Sequence, residues 1–120
     1  RNVTEPINTS FGLPDELRPN PEDKRTTFFF NTTTGNNLAR ASFFNANNAA
    51  VPVYRPGEVM LIKAEAQARK NNVAGAITEL NKVLTKTTDV VGIGANLPEY
   101  SGASTQADVL TEIYKQRCIE

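Results

Sequence analysis

The chain has 120 residues, a length that fits one domain and hardly more. Its 13 Lys and Arg balance 13 Asp and Glu, and a net charge of zero argues against a nucleic-acid binder held by phosphate contacts and against an acidic solvating tail. Histidine is absent and cysteine occurs once, which removes His-based acid–base catalysis, Ser-His-Asp triads, His-ligated zinc, internal disulfides and multi-cysteine metal sites.

The first half, residues 1–57, holds Pro6, Pro14, Pro19, Pro21, Pro52 and Pro56 and is rich in Asn, Thr and Phe. Proline lacks an amide donor and restricts its predecessor, so residues 1–25 read as an extended, turn-rich segment. Thr26-Thr27-Phe28-Phe29-Phe30-Asn31 is β-branched and aromatic and favours a strand. The cluster Thr34-Gly35-Asn36-Asn37 tolerates positive φ and supplies a turn. Together they predict a β-hairpin pairing about 26–32 with 38–44, followed by a loop over 45–50.

The second half, residues 58–120, is helical in character. Val59, Ile62, Ala66 and Arg69 trace one side of a first helix, and Met60, Leu61, Ala64 and Ala68 widen its apolar stripe. Pro56 suits a helix start, and Asn71-Asn72 breaks the pattern. A second helix is predicted from Ala74 to about Thr85, with Ile77, Leu80, Val83 and Leu84 as its stripe. Residues 89–102 read as loop, and Ser104–Asp108 as the capped start of a third helix carrying Val109, Leu110, Ile113, Tyr114 and Arg117. The fold class is therefore mainly α: a helical hairpin and a third helix, with a loop-rich N-terminal half carrying a short β-hairpin. No apolar run approaches the roughly 20 residues of a membrane span, and no signal-peptide pattern is present. A polar start at Arg1 and a helical pattern still running at Glu120 read as a single piece, 1–120, of a longer protein.

Ala64, Ala68 and Ala76 sit where two antiparallel helices would approach closely, and the pair resembles a tetratricopeptide repeat; an ordinary helical hairpin fits the same pattern. A sharper resemblance rests on four segments in order: Asp23-Lys24-Arg25; Val53–Ala66, with Arg55, Glu58 and Ala64-Glu65-Ala66; Leu80-Asn81-Lys82-Val83; and Ile113–Glu120, with Arg117 and Glu120. Together they resemble the SusD/RagB family over about 23–120. Pro56-Gly57 departs from that pattern and implies a later helix start, and Gln116 stands where the family has Glu beside Arg117. The resemblance implies helical tetratricopeptide-like units decorated by loops, in a lipoprotein of the outer-membrane surface of Bacteroidetes-type cells. It implies capture of glycan or oligosaccharide for a SusC-like TonB-dependent transporter, with a lipid anchor outside residues 1–120. The alternative function is a tetratricopeptide-like protein-interaction module.

Candidate chemistry is sparse. Arg55 and Glu58 are three apart at a helix start and read as a structural ion pair more readily than as a ligand clamp. Glu58 and Glu65 share a helical face, but a seven-residue rise of about 10.5 Å ill suits a glycosidase pair, and nothing separates their pKa values. Phe28-Phe29-Phe30 with Phe43 and Phe44 offer sugar-stacking rings, or packing between hairpin and helices. Tyr54 and Tyr100 combine a ring face with a polar tip. Tyr100, in the loop after Gly94, is the ligand-binding candidate. Gly92-Ile93-Gly94 lacks the Lys-Ser/Thr of a phosphate loop. Asn2, Asn8 and Asn31 open glycosylation-type triplets that carry no expectation here, and Cys118 reads as a small apolar helix residue. No catalytic residue, metal site or cofactor is expected, so the chain reads as a binding protein rather than an enzyme.

Overall fold

The computed structural model describes residues 13–30, 40–41, 53–88 and 93–120. These residues are mainly α: α1 spans Pro56–Arg69, α2 Val73–Leu84 and α3 Gln106–Ile119. Short 3-10 turns occupy Asp15–Leu17 and Lys24–Phe28. Strand β1, Phe29–Phe30, pairs antiparallel with β2, Arg40–Ala41, in the register Phe29↔Ala41 and Phe30↔Arg40. The expected hairpin is thus a two-residue bridge where it is described. Residues 26–28 are a 3-10 turn and not strand, because the turn begins with Asp23, whose carboxylate accepts the Arg25 backbone N–H at 2.9 Å. The remainder of the hairpin, 31–39 and 42–44, lies outside the described residues.

Helix α1 starts at Pro56 itself, not later as Pro56-Gly57 implied. Proline at the first helical position has its φ already set and its missing amide needs no partner, while Glu58 Oε2 accepts the Arg55 backbone N–H at 2.9 Å. The end of α1 is built by two asparagines. Asn71 takes a left-handed φ of 62° and donates its N–H to the Ala68 carbonyl at 2.8 Å, and the Asn72 N–H reaches back to Gln67 at 2.9 Å. This is a Schellman closure with Asn in place of the usual Gly. Asn72 then caps α2, its Oδ1 accepting the Gly75 N–H at 3.1 Å. One residue thus closes one helix and opens the next, and α2 packs back against α1. At α3 the Thr105 hydroxyl accepts the Asp108 N–H, as the capped start predicted.

The core is Leu61, Ala64 and Ala68 from α1, Ala76, Leu80, Val83 and Leu84 from α2, and Val109 and Ile113 from α3. Ala64, Ala68 and Ala76 are all fully buried, which lets the α1 and α2 backbones come close. The expected stripe of α1 needs correction. Val59 and Ile62 are each 54% exposed, and Ala66 and Arg69 face outward too. The buried row is Gly57, Leu61, Ala64 and Ala68, spaced four, three and four. Both rows obey helical spacing, so periodicity alone did not choose between them.

The segment after α2 folds back over its end. The N–H groups of Gly94, Asn96 and Leu97 donate to the carbonyls of Thr87, Lys86 and Leu84 at 3.1, 2.8 and 2.8 Å. Lys24 N–H donates to Ala95 O at 3.0 Å and so ties the N-terminal segment onto this loop. A Cβ on Gly94 would lie 2.1 Å from the Lys86 carbonyl oxygen, which leaves room only for glycine.

Candidate functional site

Three of the motif segments singled out in the sequence meet at one buried place. The 3-10 turn of the N-terminal segment brings Asp23 and Arg25, the start of α1 brings Arg55 and Gly57, and the end of α3 brings Gln116 and Glu120. Arg25 is the centre. Its Nε donates to Asp23 Oδ1 at 3.0 Å and its Nη2 to Asp23 Oδ2 at 2.7 Å, a two-point pairing. Nη1 donates to Glu120 Oε2 at 2.8 Å, and Nη2 also reaches Gln116 Oε1. Arg55 adds a second cation: Nη1 donates to the Glu120 backbone carbonyl at 2.6 Å and Nη2 lies 3.6 Å from Glu120 Oε1.

Asp23, Arg25, Arg55 and Gln116 are buried, and the Glu120 side chain is nearly so. Among the described residues, two arginines face two carboxylates here. Burial by itself would weaken the Arg25 guanidinium as a base, but the adjacent Asp23 and Glu120 carboxylates outweigh it, and the pKa rises above the ordinary arginine value. Arg55 sits against the carbonyl end of α3, where the helix dipole favours a cation. Gly57 makes the approach possible: a Cβ there would fall 2.0 Å from Glu120 Oε1. Gln116 Nε2 donates to Glu112 Oε1 at 2.7 Å, so its amide is used at both ends.

This arrangement joins the N-terminal segment, α1 and α3. Among the described residues no cluster of acidic or sulfur side chains could hold a metal ion.

The other candidates are placed separately. Glu58 serves the helix start, as expected, but through the backbone N–H of Arg55, while the guanidinium reaches across to α3. Glu65 lies between Arg69, with Nε at 2.8 Å, and Arg117, with Nη1 at 2.5 Å. The hydrogen bond from Arg69 leads in holding its carboxyl below the usual range, against a smaller burial effect. Arg117 is therefore an exposed bridge from α3 to α1. The buried polar neighbour is Gln116 itself, and its cation is Arg25, not Arg117. Tyr100 is half-buried against the helical core, its N–H donates to Asn81 Oδ1 at 2.8 Å and its hydroxyl donates to the Ala103 carbonyl at 3.0 Å. Burial first, then the charges of Asp108 and Glu112, raise its pKa. Tyr54 is 70% exposed beside Val53, ahead of α1. Cys118 is half-buried on α3. Phe43, Phe44, Asn2, Asn8, Asn31, Gly92 and the side chains of Phe28, Phe29 and Phe30 lie outside the described residues.

Sequence reasoning saw the members of the cluster but not their meeting. The signal was present on α3. Val109, Ile113, Gln116 and Glu120 follow a four, three, four spacing, so the last two polar residues continue the core-facing row.

The SusD family profile matches residues 3–120. The chain belongs to the SusD family. The match spans both halves of the sequence, so the buried cluster is part of a SusD-family scaffold. SusD-family proteins are binding proteins without catalysis. No curated protein and no solved structure matches the chain significantly.

Proposed function

We propose that this SusD-family chain is the C-terminal part of a surface-anchored nutrient-binding protein that captures oligosaccharide for a SusC-like TonB-dependent transporter. The observation that carries the reading is the family match over residues 3–120. A physical division of labour supports the reading. The family-like residues Asp23, Arg25, Arg55 and Glu120 are consumed by the buried cluster, so they fix the scaffold and leave recognition to other groups. Tyr100 is the aromatic candidate for sugar contact, its ring braced on Gly102 by its own hydrogen bonds. No helix among the described residues is long and apolar enough to cross a membrane. On this reading a lipid outside residues 1–120 attaches the protein to the outer membrane.

Isothermal titration of the parent protein with a panel of oligosaccharides, together with affinity purification from the outer membrane, tests the reading. Saturable glycan binding and co-purification of a TonB-dependent transporter are the expected results. Absence of both would reject it. A second reading, a peptide-binding interaction module, draws on the apolar side chains Val59 and Ile62 left uncovered on α1. Recovery of a peptide partner with no response to sugars would favour it.

A further inference from the structure

A cavity of about 330 Å³ opens where the N-terminal segment crosses the loop that follows α2. Lys24, Thr27, Thr87, Ile93 and Asn96 line it. That volume lies at the lower end of the roughly 300–1,000 Å³ of small-ligand sites. Its walls are held by backbone bonds: Lys24 N–H to Ala95 O at 3.0 Å, Gly94 N–H to Thr87 O at 3.1 Å and Asn96 N–H to Lys86 O at 2.8 Å. Asn96 takes a left-handed φ of 52°, so its side chain is presented by a fixed turn. The Thr27 hydroxyl bonds the Lys24 carbonyl at 3.1 Å.

The chemistry of the lining is specific. Asn96 offers an amide with both donor and acceptor, Thr27 and Thr87 offer hydroxyls, and Ile93 offers one apolar wall. Among the described residues, the charged one in the lining is Lys24. Amides and hydroxyls suit a polyhydroxylated ring, and an ammonium suits a carboxylate on that ring.

We infer that this cavity is a subsite for an acidic sugar, a uronate residue of a glycan chain, with Lys24 pairing its carboxylate and Asn96 its hydroxyls. The inference rests on the glycan-binding reading and names the class of glycan.

The test is a nuclear magnetic resonance titration of the full chain with an oligogalacturonate and with a neutral maltooligosaccharide of equal length, at low and high salt. The expected result is tighter binding of the oligouronate by about tenfold, weakened by salt, with shifts centred on Lys24, Thr87 and Asn96. Lys24→Gln should abolish the preference, and Asn96→Ala should weaken both ligands. Lys24 is exposed at its side chain, so the substitution leaves the fold intact, which unchanged spectra elsewhere would verify. Equal binding of the two oligosaccharides, or a uronate preference that survives Lys24→Gln, would overturn the inference while leaving the glycan-binding reading in place. Failure of the parent protein to bind any glycan would remove both.

Discussion

Arg25 shows at the scale of a single residue how a polar motif becomes a structural joint. Its guanidinium has partners from its own turn and from α3, and all are withdrawn from water. Removing one member of such a set leaves uncompensated charge, at a cost of about 3–5 kcal/mol. Arg25→Ala should lower the unfolding free energy by that order in a urea titration. Arg25→Lys should restore little, because one ammonium cannot reproduce the planar fork that meets Asp23 and Glu120 together. Gln116 permits a finer test. Gln116→Glu keeps an acceptor for Arg25 but sets a second carboxylate against Glu112, whereas Gln116→Leu leaves both Arg25 and Glu112 without this partner at a cost of about 1–3 kcal/mol. Both variants should melt below the parent, with Gln116→Glu the less affected and its deficit shrinking as pH falls. At Gly57 no backbone strain is involved; the constraint is Glu120, which an added Cβ would displace. Gly57→Ala should cost about 1–3 kcal/mol and disturb Glu120 and Arg55 together.

Between elements, short caps and exposed ion pairs set how the helices meet. Asn72 serves both α1 and α2, and Asn72→Ala should cost about 1 kcal/mol through the lost cap. A comparison of thermal melts would read that loss. Lys63 Nζ lies 2.8 Å from Glu79 Oε1 and links α1 to α2, while Glu65 links α1 to α3 through Arg117. Hydrogen bonds from Lys63 and then Lys82 hold the Glu79 carboxyl below its ordinary value, and Arg69 leads the same effect at Glu65. A depressed folded pKa gives stability that is present above the unfolded carboxylate value and lost as pH falls through the folded one. Unfolding midpoints should thus be flat near neutrality and decline once pH drops below about 4.3, the ordinary Glu value. Both pairs involve exposed cations, so high salt should reduce the acid-sensitive part.

For the whole molecule, the uneven burial of α1 is the main consequence. One row of the helix is locked into the core by Leu61, Ala64 and Ala68, and the opposite row leaves Val59 and Ile62 facing water. Replacing these two by Ser should shift stability by no more than about 0.5 kcal/mol, read as a urea midpoint close to that of the parent chain. The cluster of Arg25, Arg55 and Glu120 sits at the far side of the hairpin from the Asn71-Asn72 turn, so the helical unit is fastened at both ends.

The sequence by itself determined the local structure and the family. Three helices, the break at Asn71-Asn72 and the cap at Thr105 follow from spacing and side-chain hydrogen bonding within a few residues, and these survive in the fold. Ordered motifs from Asp23 to Glu120 were enough to indicate the SusD family. Tertiary structure alone decided which row of α1 is buried, because Val59-Ile62-Ala66 and Leu61-Ala64-Ala68 are equally periodic and only contact with α2 and α3 separates them. The 3-10 turn at residues 26–28 belongs to the local side as well, since the Asp23 carboxylate that accepts the Arg25 N–H lies only two residues away, although the β-branched and aromatic run read as strand. Tertiary structure alone brought Arg25 to Glu120, two charges 95 residues apart whose attraction counts only after folding has removed the water between them.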